Sequence, residues 1–339
     1  MTRIGIISAY PDEDWHAQQI ARAAARHGEV RLLQPTDFGA ELGQSVTRVL
    51  VAGEDARGYA LFLTPRAIGE RGDADLQLEL YHALSENGGL LVNDARALTT
   101  AIDKFRSSWL FARSGLPTPR VVVAQRLEDA CRALVELRHA VVKPLYGSLG
   151  VGVERIDVDE AARLSKLLER HRALYLQAYV EHVELDVRAF VVGNRVEAAI
   201  GRRPRPGEFR ANIHLGATAK EIDLDPSVVE LAVRATQVTG LDYSGVDLLL
   251  TSDGPQLLEV NGTPAFRGVN LATGRDMAVA IVEHAVARAQ LCKERLDTGP
   301  EEGRHDRRGG AIDRRSSRRA PRWRDDARSP RTRVLPGDR

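Results

Sequence analysis

Two short apolar segments in the last third of the sequence each contain a carboxylate. They are residues 245–250, GVDLLL, and residues 257–261, LLEVN. Because side chains alternate along a strand, Glu259 and Asn261 share one face, and a hairpin partner places Asp247 beside them. Buried carboxylates are costly to desolvate and repel each other, so removing one is expected to raise stability. A divalent cation relieves both costs, and oxygen ligands suit Mg²⁺ or Mn²⁺. The alternative is the solvent-exposed face of a hairpin.

The composition predicts a folded body followed by a different kind of tail. Of 339 residues, 43% are hydrophobic and 28% charged, which excludes a fully disordered or collagen-like protein. Residues 291–339 contain 15 Lys and Arg against 9 Asp and Glu, a net charge of +6, whereas residues 1–290 carry −5. With so few aliphatic residues the tail cannot offset its ordering entropy, so it is predicted to be disordered. Its interspersed acids and single aromatic residue, Trp323, favour an inert solvated tail over a nucleic-acid-binding arm.

Other compositional features concern the cellular compartment. No apolar run approaches the roughly 20 residues of a membrane-spanning helix, and no signal-peptide pattern opens the chain. We therefore expect a cytoplasmic protein without a membrane partner. Cys131 and Cys292 lie far apart and match neither a disulfide framework nor a zinc-type spacing, so both are interpreted as plain thiols.

The first ninety residues alternate short apolar strands with helical patterns, which is typical of a parallel α/β domain. The predicted strands are 3–8, 30–33, 49–52 and 59–63, with helices at 12–27 and 73–85. No G-x-G-x-x-G motif follows the first strand, so nothing supports a dinucleotide site there. The predicted role of this domain is to shape the substrate site.

The chain after residue 93 follows a different pattern. One helical stretch runs to about residue 115, and Pro117 and Pro119 then prevent its continuation. An α+β module is predicted next, with strands at 120–124, 140–143, 153–157 and 174–178 and helices at 127–138 and 159–170. Longer strands follow at 186–192 and 195–202, and a helix is predicted between Asp225 and Gly240.

A lysine at the end of an apolar strand precedes a glycine-rich loop in residues 141–152, VVKPLYGSLGVG. Glycines let backbone N–H groups approach phosphate oxygens, while Lys143 supplies a positive charge. The pattern indicates a lid over a triphosphate, although a generic hairpin turn explains the glycines equally well. It differs from a Walker A loop, in which the lysine follows the glycines.

An arginine cluster stands in residues 202–212, RRPRPGEFRAN. Arginine suits bidentate binding of carboxylate and phosphate groups, while a solvated basic loop is the alternative. With one arginine assigned to a phosphate, the surplus charge favours an additional anionic group on the substrate.

Taken in order, these segments resemble the ATP-grasp superfamily, and specifically its RimK-type alpha-L-glutamate ligases, from about residue 93 to residue 290. The segments that carry the resemblance are DKFRS at 103–107, VKP at 142–144 with its glycine loop, QAYV at 177–180, DVR at 186–188, the arginine cluster, GVD at 245–247 and EVN at 259–261, with a weaker match at 64–69, TPRAIG.

The resemblance implies roles for individual residues. Those matching the ATP site are Lys104, Lys143, Gly147, Ser148, Gly150, Gly152, Gln177, Tyr179, Val180 and Asp186. Those matching the ligands of Mg²⁺ or Mn²⁺ are Asp247, Glu259 and Asn261. Those matching the catalytic positions around an acyl phosphate and the amino-acid substrate are Arg188, Arg203, Arg210 and Asn212. The hinge acid of relatives is Ala178 here, so Glu181 or Glu184 is expected to contact the ribose. Leu215 stands where a basic residue often follows His214, which leaves the substrate open.

The sequence thus predicts an α/β (α+β), three-lobed ATP-grasp fold with a disordered C-terminal tail. The predicted divisions are 1–93 for the N-terminal domain, 94–178 for the central lobe with its lid, 179–290 for the C-terminal lobe and 291–339 for the tail. The implied activity joins an amino acid, glutamate first, to a carboxylate acceptor, which is a peptide, a protein tail or a cofactor. A kinase or ligase of other specificity, and a non-catalytic ATP-binding regulator, remain alternatives, and a homo-oligomer is left open.

Overall fold

The apolar periodicity of the sequence is realised as alternating strands and helices in the computed structural model, which describes residues 2–145, 152–181, 186–203, 205 and 218–298. Strands in these ranges are β1 (Arg3–Ser8), β2 (Glu29–Leu33), β3 (Phe38–Leu42), β4 (Thr47–Val51), β5 (Glu54–Asp55), β6 (Leu61–Arg66), β7 (Leu91–Val92), β8 (Val121–Ala124), β9 (His139–Lys143), β10 (Glu154–Asp157), β11 (Leu174–Ala178), β12 (Asp186–Val192), β13 (Arg195–Arg203), β14 (Thr218–Glu221), β15 (Tyr243–Thr251) and β16 (Gly254–Asn261). Helices there are α1 (Trp15–Ala24), α2 (Ala74–Glu86), α3 (Ala95–Ile102), α4 (Lys104–Arg113), α5 (Leu127–Leu137), α6 (Arg163–His171), α7 (Pro226–Thr239), α8 (Arg267–Thr273) and α9 (Met277–Thr298).

The N-terminal sheet has the strand order β2-β1-β6-β7 and is parallel throughout, which confirms the predicted α/β pattern. The predicted strand at 49–52 was wrongly placed in it. This segment corresponds to β4, which pairs antiparallel with β3 and β5 in a separate sheet. The reason is chain length, because residues 43–46 alone join β3 to β4, whereas a parallel pairing needs a crossover of a dozen or more residues.

The remaining described chain contains two antiparallel sheets. One has the order β10-β9-β11-β8, and the other has the order β14-β13-β12-β15-β16. The strands expected at 174–178 and 186–192 have the predicted bounds, as β11 and β12. The hairpin expected from the two apolar segments is formed by β15 and β16, with Asp247 directly opposite Glu259.

The helical stretch predicted between residues 93 and 115 is two helices rather than one. Asp103 ends α3 and also caps α4, where its side chain accepts a hydrogen bond from the Arg106 N–H at 3.0 Å. An aspartate in extended conformation at this position satisfies an orphan N–H of the new helix, which favours the break. Lys104 is consequently the first residue of α4. Within the described ranges, no helix combines the length and apolar character needed to cross a membrane.

The hydrophobic cores show which sheets pack together. One core joins the N-terminal sheet and α1 to β12, β13, β15, α8 and α9, and it includes Ile4, Ile20, Phe190, Phe266 and Ile281. The β8–β11 sheet packs with α5 and α6 in a core of its own, whose buried members lie between residues 124 and 176. The first and last parts of the described chain therefore share one interior.

A buried asparagine at the end of β7 reinforces this connection. The Asn93 side chain donates to the carbonyl oxygens of Tyr243 (2.9 Å) and Gly262 (2.6 Å). Its Oδ1 accepts from the backbone N–H groups of Asp242 (2.7 Å) and Tyr243 (3.0 Å). Asn93 is fully buried, so it binds the N-terminal sheet to both strands of the β15–β16 hairpin.

We expect Asn93→Ala to lower the free energy of unfolding by at least about 3 kcal/mol, because it leaves several buried backbone groups without partners at about 1–3 kcal/mol each. Urea unfolding of the full chain measures this, with Asn87→Ala as a control at an exposed asparagine that also donates to a backbone carbonyl. A loss below about 1 kcal/mol would contradict the role assigned to Asn93.

Candidate active site

Three oxygen-bearing side chains meet on one face of the β15–β16 hairpin. Asp247 lies opposite Glu259, and Asn261 follows two residues later on the same face. The Asn261 Nδ2 atom is 3.4 Å from Glu259 Oε1 and 3.5 Å from Asp247 Oδ2. Asp247 is only 4% exposed, which excludes for this residue the solvent-exposed face that the sequence left open. The three candidate metal ligands are therefore brought together as predicted.

Two arginines of the neighbouring strands bind Asp247. Arg188 on β12 makes a bidentate contact, with Nε 2.8 Å from Oδ1 and Nη2 2.6 Å from Oδ2. Arg202 on β13 bridges two carboxylates, because its Nη2 is 2.9 Å from Asp247 Oδ1 and 2.5 Å from Asp186 Oδ1. The strand registers explain this, since Arg188 pairs with Asp247 and Asp186 pairs with Arg202.

This buried cluster sets the charge states of its two aspartates. Burial opposes ionisation of Asp247, but the charges of Arg188 and Arg202 outweigh it and lower the pKa of Asp247 to about 2. Burial raises the pKa of Asp186, and the charge of Arg202, which contacts it, opposes this effect. Asp247 is therefore held ionised by two guanidinium groups, and the carboxylate of Asp186 is the less firmly ionised of the two.

Two lysines approach the same carboxylates from other elements. Lys143 ends β9, and Lys104 begins α4, where its backbone N–H donates to the Leu145 carbonyl at 3.4 Å. Burial lowers the pKa of both lysines, and the negative charge of Glu259 acts on both in the opposite direction. Charged residues from the central and C-terminal parts of the chain thus interact electrostatically around Glu259, in the region where the sequence places its candidate phosphate and metal site.

The residues expected at the adenine hinge lie at the end of β11. Gln177 is 2% exposed, and its Nε2 atom is buried with no hydrogen-bond partner among the described residues. Tyr179 lies beneath the Arg155 guanidinium at 4.2 Å, and Val180 follows it. Glu181, one of two acids expected at the ribose, is exposed.

Other predicted residues lie beside or beyond the described part of the chain. Gly152 has a φ of +72°, a left-handed conformation that favours glycine. Residues outside the described ranges are Gly147, Ser148, Gly150, Glu184, Arg210, Asn212, His214, Leu215 and residues 299–339 of the predicted tail. The prediction that the tail begins at residue 291 was wrong, because residues 291–298 continue α9.

The resemblance assigned a catalytic position to Arg203, whereas Arg202 was counted only as a member of the arginine cluster. The structure buries Arg202 between two aspartates, with 4% of the residue exposed, whereas Arg203 is exposed at the end of β13. Consecutive strand residues face opposite sides, so the two arginines cannot share one role. The signal that identifies Arg202 is its position opposite Asp186, which requires knowledge of the strand pairing.

Comparisons with known proteins identify chains that are similar to this one in sequence. A family model described as a RimK-like ATP-grasp domain matches residues 101–285. A probable alpha-L-glutamate ligase of Shewanella amazonensis is 33% identical over 290 residues, which cover 83% of this chain and 94% of that protein.

Solved structures share the fold. The ATP-grasp ligase PsnB complexed with a minimal precursor has a TM-score of 0.68 at 21% identity, covering 85% of this chain and 99% of that one. The same ligase complexed with the precursor, Mg and ADP has a TM-score of 0.64 at 20% identity, covering 85% and 98%. With the predicted fold class confirmed and a family match over more than half of its residues, the chain belongs to the RimK-like ATP-grasp family and is an ADP-forming ligase.

Proposed function

We propose that this ligase joins glutamate to a carboxylate acceptor through an acyl phosphate. The observation that carries the proposal is the convergence of Lys104 and Lys143 on Glu259, next to an aspartate that two arginines bind. Phosphoryl transfer needs positioning and charge neutralisation from the protein, and this cluster supplies both signs of charge in a largely buried place. The alpha-L-glutamate ligase name of the Shewanella amazonensis relative supports glutamate.

In this proposal ATP lies between the β8–β11 sheet and the β12–β16 sheet. Lys104, Lys143 and the loop containing Gly147, Ser148, Gly150 and Gly152 contact its phosphates. Gln177, Tyr179 and Val180 contact the adenine, and Asp186 belongs to the same site. The buried Gln177 Nε2 atom without a described partner supports a bound group that accepts its hydrogen bond. The proposed lobes 94–178 and 179–290 then meet at the nucleotide.

The proposed metal ligands are Asp247, Glu259 and Asn261. They fit a divalent cation because two carboxylates and an amide oxygen are hard ligands, and the carboxylates of Asp247 and Glu259 lie within 3.5 Å of the Asn261 side-chain amide. PsnB, whose structure contains Mg and ADP, supports magnesium. When bound, the cation would neutralise charge on the phosphates. Asp247 binds Arg188 and Arg202 in this structure, so those arginines hold the carboxylate in place before any ligand enters.

Two steps complete the reaction. An acceptor carboxylate oxygen attacks the γ-phosphorus, the bond to ADP breaks, and an acyl phosphate forms. The glutamate amine then attacks the acyl carbon, and phosphate leaves with the former carboxylate oxygen. We propose that Arg188, Arg203, Arg210 and Asn212 neutralise the transferred phosphoryl group and orient the amino acid, since guanidinium groups bind such anions bidentately. The precursor-bound PsnB structure supports a peptide acceptor.

The decisive experiment incubates the full chain with ATP, Mg²⁺, single amino acids and a panel of carboxylate acceptors, and follows ADP release and product mass. We expect ADP and an acceptor mass increased by one glutamate residue. ADP release with a phosphorylated acceptor would indicate a kinase instead. Nucleotide binding without ADP release across the panel would favour a non-catalytic regulator.

The arginine cluster predicts a preference between amino acids. A charge-assisted contact of about 1.5–3 kcal/mol with the side-chain carboxylate favours glutamate over glutamine by about ten- to a hundredfold in kcat/KM. We expect this ratio to fall in Arg203→Ala or Arg210→Ala, with Arg195→Ala, an exposed arginine on β13, as the control. Preferential use of lysine or a neutral amino acid by the unmodified enzyme would exclude glutamate specificity and leave the ligase activity standing.

A further inference from the structure

A cleft of about 380 Å³ lies where the N-terminal part of the described chain meets helices of its C-terminal part. Its lining is formed by the end of α2, β7 and the start of α3, together with the end of α7 and one side chain of α9. This volume is near the lower end of the range for small-molecule sites, about 300–1,000 Å³. None of the residues proposed to hold ATP or the metal belongs to this lining, so the cleft has no role yet.

One carboxylate in the lining has room for a cationic partner. Asp94 caps α3, because its Oδ1 accepts the Arg96 backbone N–H at 2.9 Å, and its Oδ2 accepts from the Ser85 hydroxyl at 2.8 Å. The Arg96 guanidinium pairs with Glu86 instead, at 3.4 Å. Among the described residues, no Lys, Arg or His nitrogen lies within 4.0 Å of the Asp94 carboxylate, the distance taken for an ion pair. A carboxylate has about four acceptor sites, so Asp94 can still accept from an ammonium group.

A guanidinium group with unused donors lines the same cleft. Arg288 on α9 donates through Nη1 to Asp242, a buried acid that also contacts His284 Nε2 at 2.9 Å. Within the described ranges, Arg288 Nε and Nη2 have no hydrogen-bond partner. These two nitrogens form the edge with which Arg188 makes its bidentate contact elsewhere in the molecule. Asp242 therefore anchors Arg288 and leaves the carboxylate-binding edge of its guanidinium available.

Opposite charges with unused hydrogen-bonding capacity on one small cleft match a zwitterion. An ammonium group donates to the Asp94 carboxylate, and a carboxylate accepts from the Arg288 guanidinium. A simple anion would be repelled by the first group and a simple cation by the second. Leu90, Leu91 and Ala97 also line the cleft, so an aliphatic side chain fits this lining better than one that carries a further charge.

The cleft adjoins the buried network of Asn93. Asp94 is the next residue in the chain, and Asp242, the partner of Arg288, donates its backbone N–H to Asn93 Oδ1 at 2.7 Å. A molecule bound between Asp94 and Arg288 would link the same two parts of the chain that Asn93 joins. Because a ligand stabilises the structure that it binds, occupation of the cleft favours the joined arrangement.

We propose that this cleft binds a free aliphatic α-amino acid, with its ammonium group on Asp94 and its carboxylate on Arg288. The site is separate from the proposed ATP and metal site, and the proposal does not depend on which acceptor or amino acid the ligase uses. The bound amino acid is an effector rather than a substrate.

Ligand-observed NMR of L-leucine with the full chain, in the presence of ADP and Mg²⁺, tests the proposal. Two analogues each lack one charge of leucine, since isocaproate has no ammonium group and isoamylamine has no carboxylate. We expect leucine to bind at least about tenfold more tightly than either analogue, because each analogue loses a charge-assisted contact.

Two variants locate the site. Asp94→Asn removes the negative charge and keeps a side chain that caps a helix equally well, and Arg288→Gln removes the guanidinium. Each should weaken leucine binding about ten- to hundredfold. The matched controls, Asp75→Asn on α2 and Arg22→Gln on α1, change exposed residues outside the cleft and should bind leucine as the unmodified chain does. Circular dichroism checks folding of Arg288→Gln, since Asp242 loses a partner there, and Asp94→Asn decides the outcome if that variant is unfolded.

The remaining outcomes separate this proposal from the ligase function. Absence of leucine binding to the unmodified chain overturns it, as does unchanged affinity in Asp94→Asn. Equal binding of isocaproate or isoamylamine overturns the zwitterion assignment. Displacement of leucine by an equal concentration of L-glutamate would place leucine in the proposed substrate site and also overturns the proposal. Failure of the glutamate ligase function appears only in the product assay, because no binding measurement here depends on ADP release.

Discussion

Glu259→Gln is expected to reduce ADP formation at millimolar Mg²⁺ by at least about a hundredfold. Glu259 lies opposite Asp247 on the hairpin, and its charge acts on both Lys104 and Lys143. The substitution preserves the size of the side chain while removing the charge that links the lysines to the proposed metal site. Loss of one preorganised electrostatic contact at a reacting phosphoryl group has an effect of this order. Steady-state ADP release, with a competent acceptor and amino acid, provides the measurement.

Asp253→Asn is the matched control for this result. Asp253 lies in the turn of the same hairpin and is exposed, with its backbone N–H donating to Thr251 Oγ1. The Asp253→Asn substitution also removes one negative charge, but at the turn end of the hairpin, away from Glu259. An ADP-forming rate in Glu259→Gln within threefold of the Asp253→Asn rate would remove Glu259 from the site.

Asp247→Ala is expected to lower the free energy of unfolding by about 3–5 kcal/mol. Repulsion between carboxylates predicts a gain in stability from the sequence alone, but Asp247 is bound by Arg188 and Arg202. Arg202 is 4% exposed, and removal of its partner leaves a buried charge poorly compensated, which typically costs this amount. Urea unfolding without Mg²⁺ measures the loss, and the double variant Asp247→Ala, Arg202→Met should regain part of it. Equal or higher stability in Asp247→Ala would show that repulsion dominates.

Acidification should remove part of this contribution from the unmodified chain. The pKa of Asp247 is lowered to about 2, below its ordinary value of 3.8. An acid with a lowered pKa stabilises the folded state above its unfolded pKa, and this stabilisation is lost as the pH falls through the folded value. The difference in stability between the unmodified chain and Asp247→Ala should therefore shrink between about pH 4 and pH 2.

The hairpin was predictable from sequence because both of its strands are short apolar runs and only a short turn separates them, while side chains alternate along any strand. This alternation alone brings Asp247, Glu259 and Asn261 to one face. The role of Arg202 was not predictable, because it depends on β12 lying between β13 and β15, and no local pattern specifies that order. The number of arginines identified residues 202–212 as a candidate site segment. Only the pairing of the strands shows that Arg202 is the arginine that binds the aspartates.

Errors in the N-terminal part have a similar origin. The strand β3 was missed because it has one buried residue, Phe38, followed by increasingly exposed positions, and so lacks the apolar run that marks a strand. Without β3, the strand at 49–52 had no hairpin partner and was assigned to the parallel sheet. The break at Asp103 was also missed, because the apolar spacing of α3 and α4 looks continuous, and only the capping geometry separates them.

The core that joins the first strand to the last helix has a consequence for how the chain is made. Ile4 and Ile6 on β1 are synthesised before Phe266 and Ile281, which pack in the same cluster but follow more than 250 residues later. Until those residues are synthesised, apolar side chains on one face of the N-terminal sheet remain exposed to water. Exposed apolar surface of this kind promotes aggregation. Because this core is built from segments far apart along the chain, we expect a chaperone to bind the protein during synthesis. We also expect residues 1–93 to be poorly soluble when expressed alone.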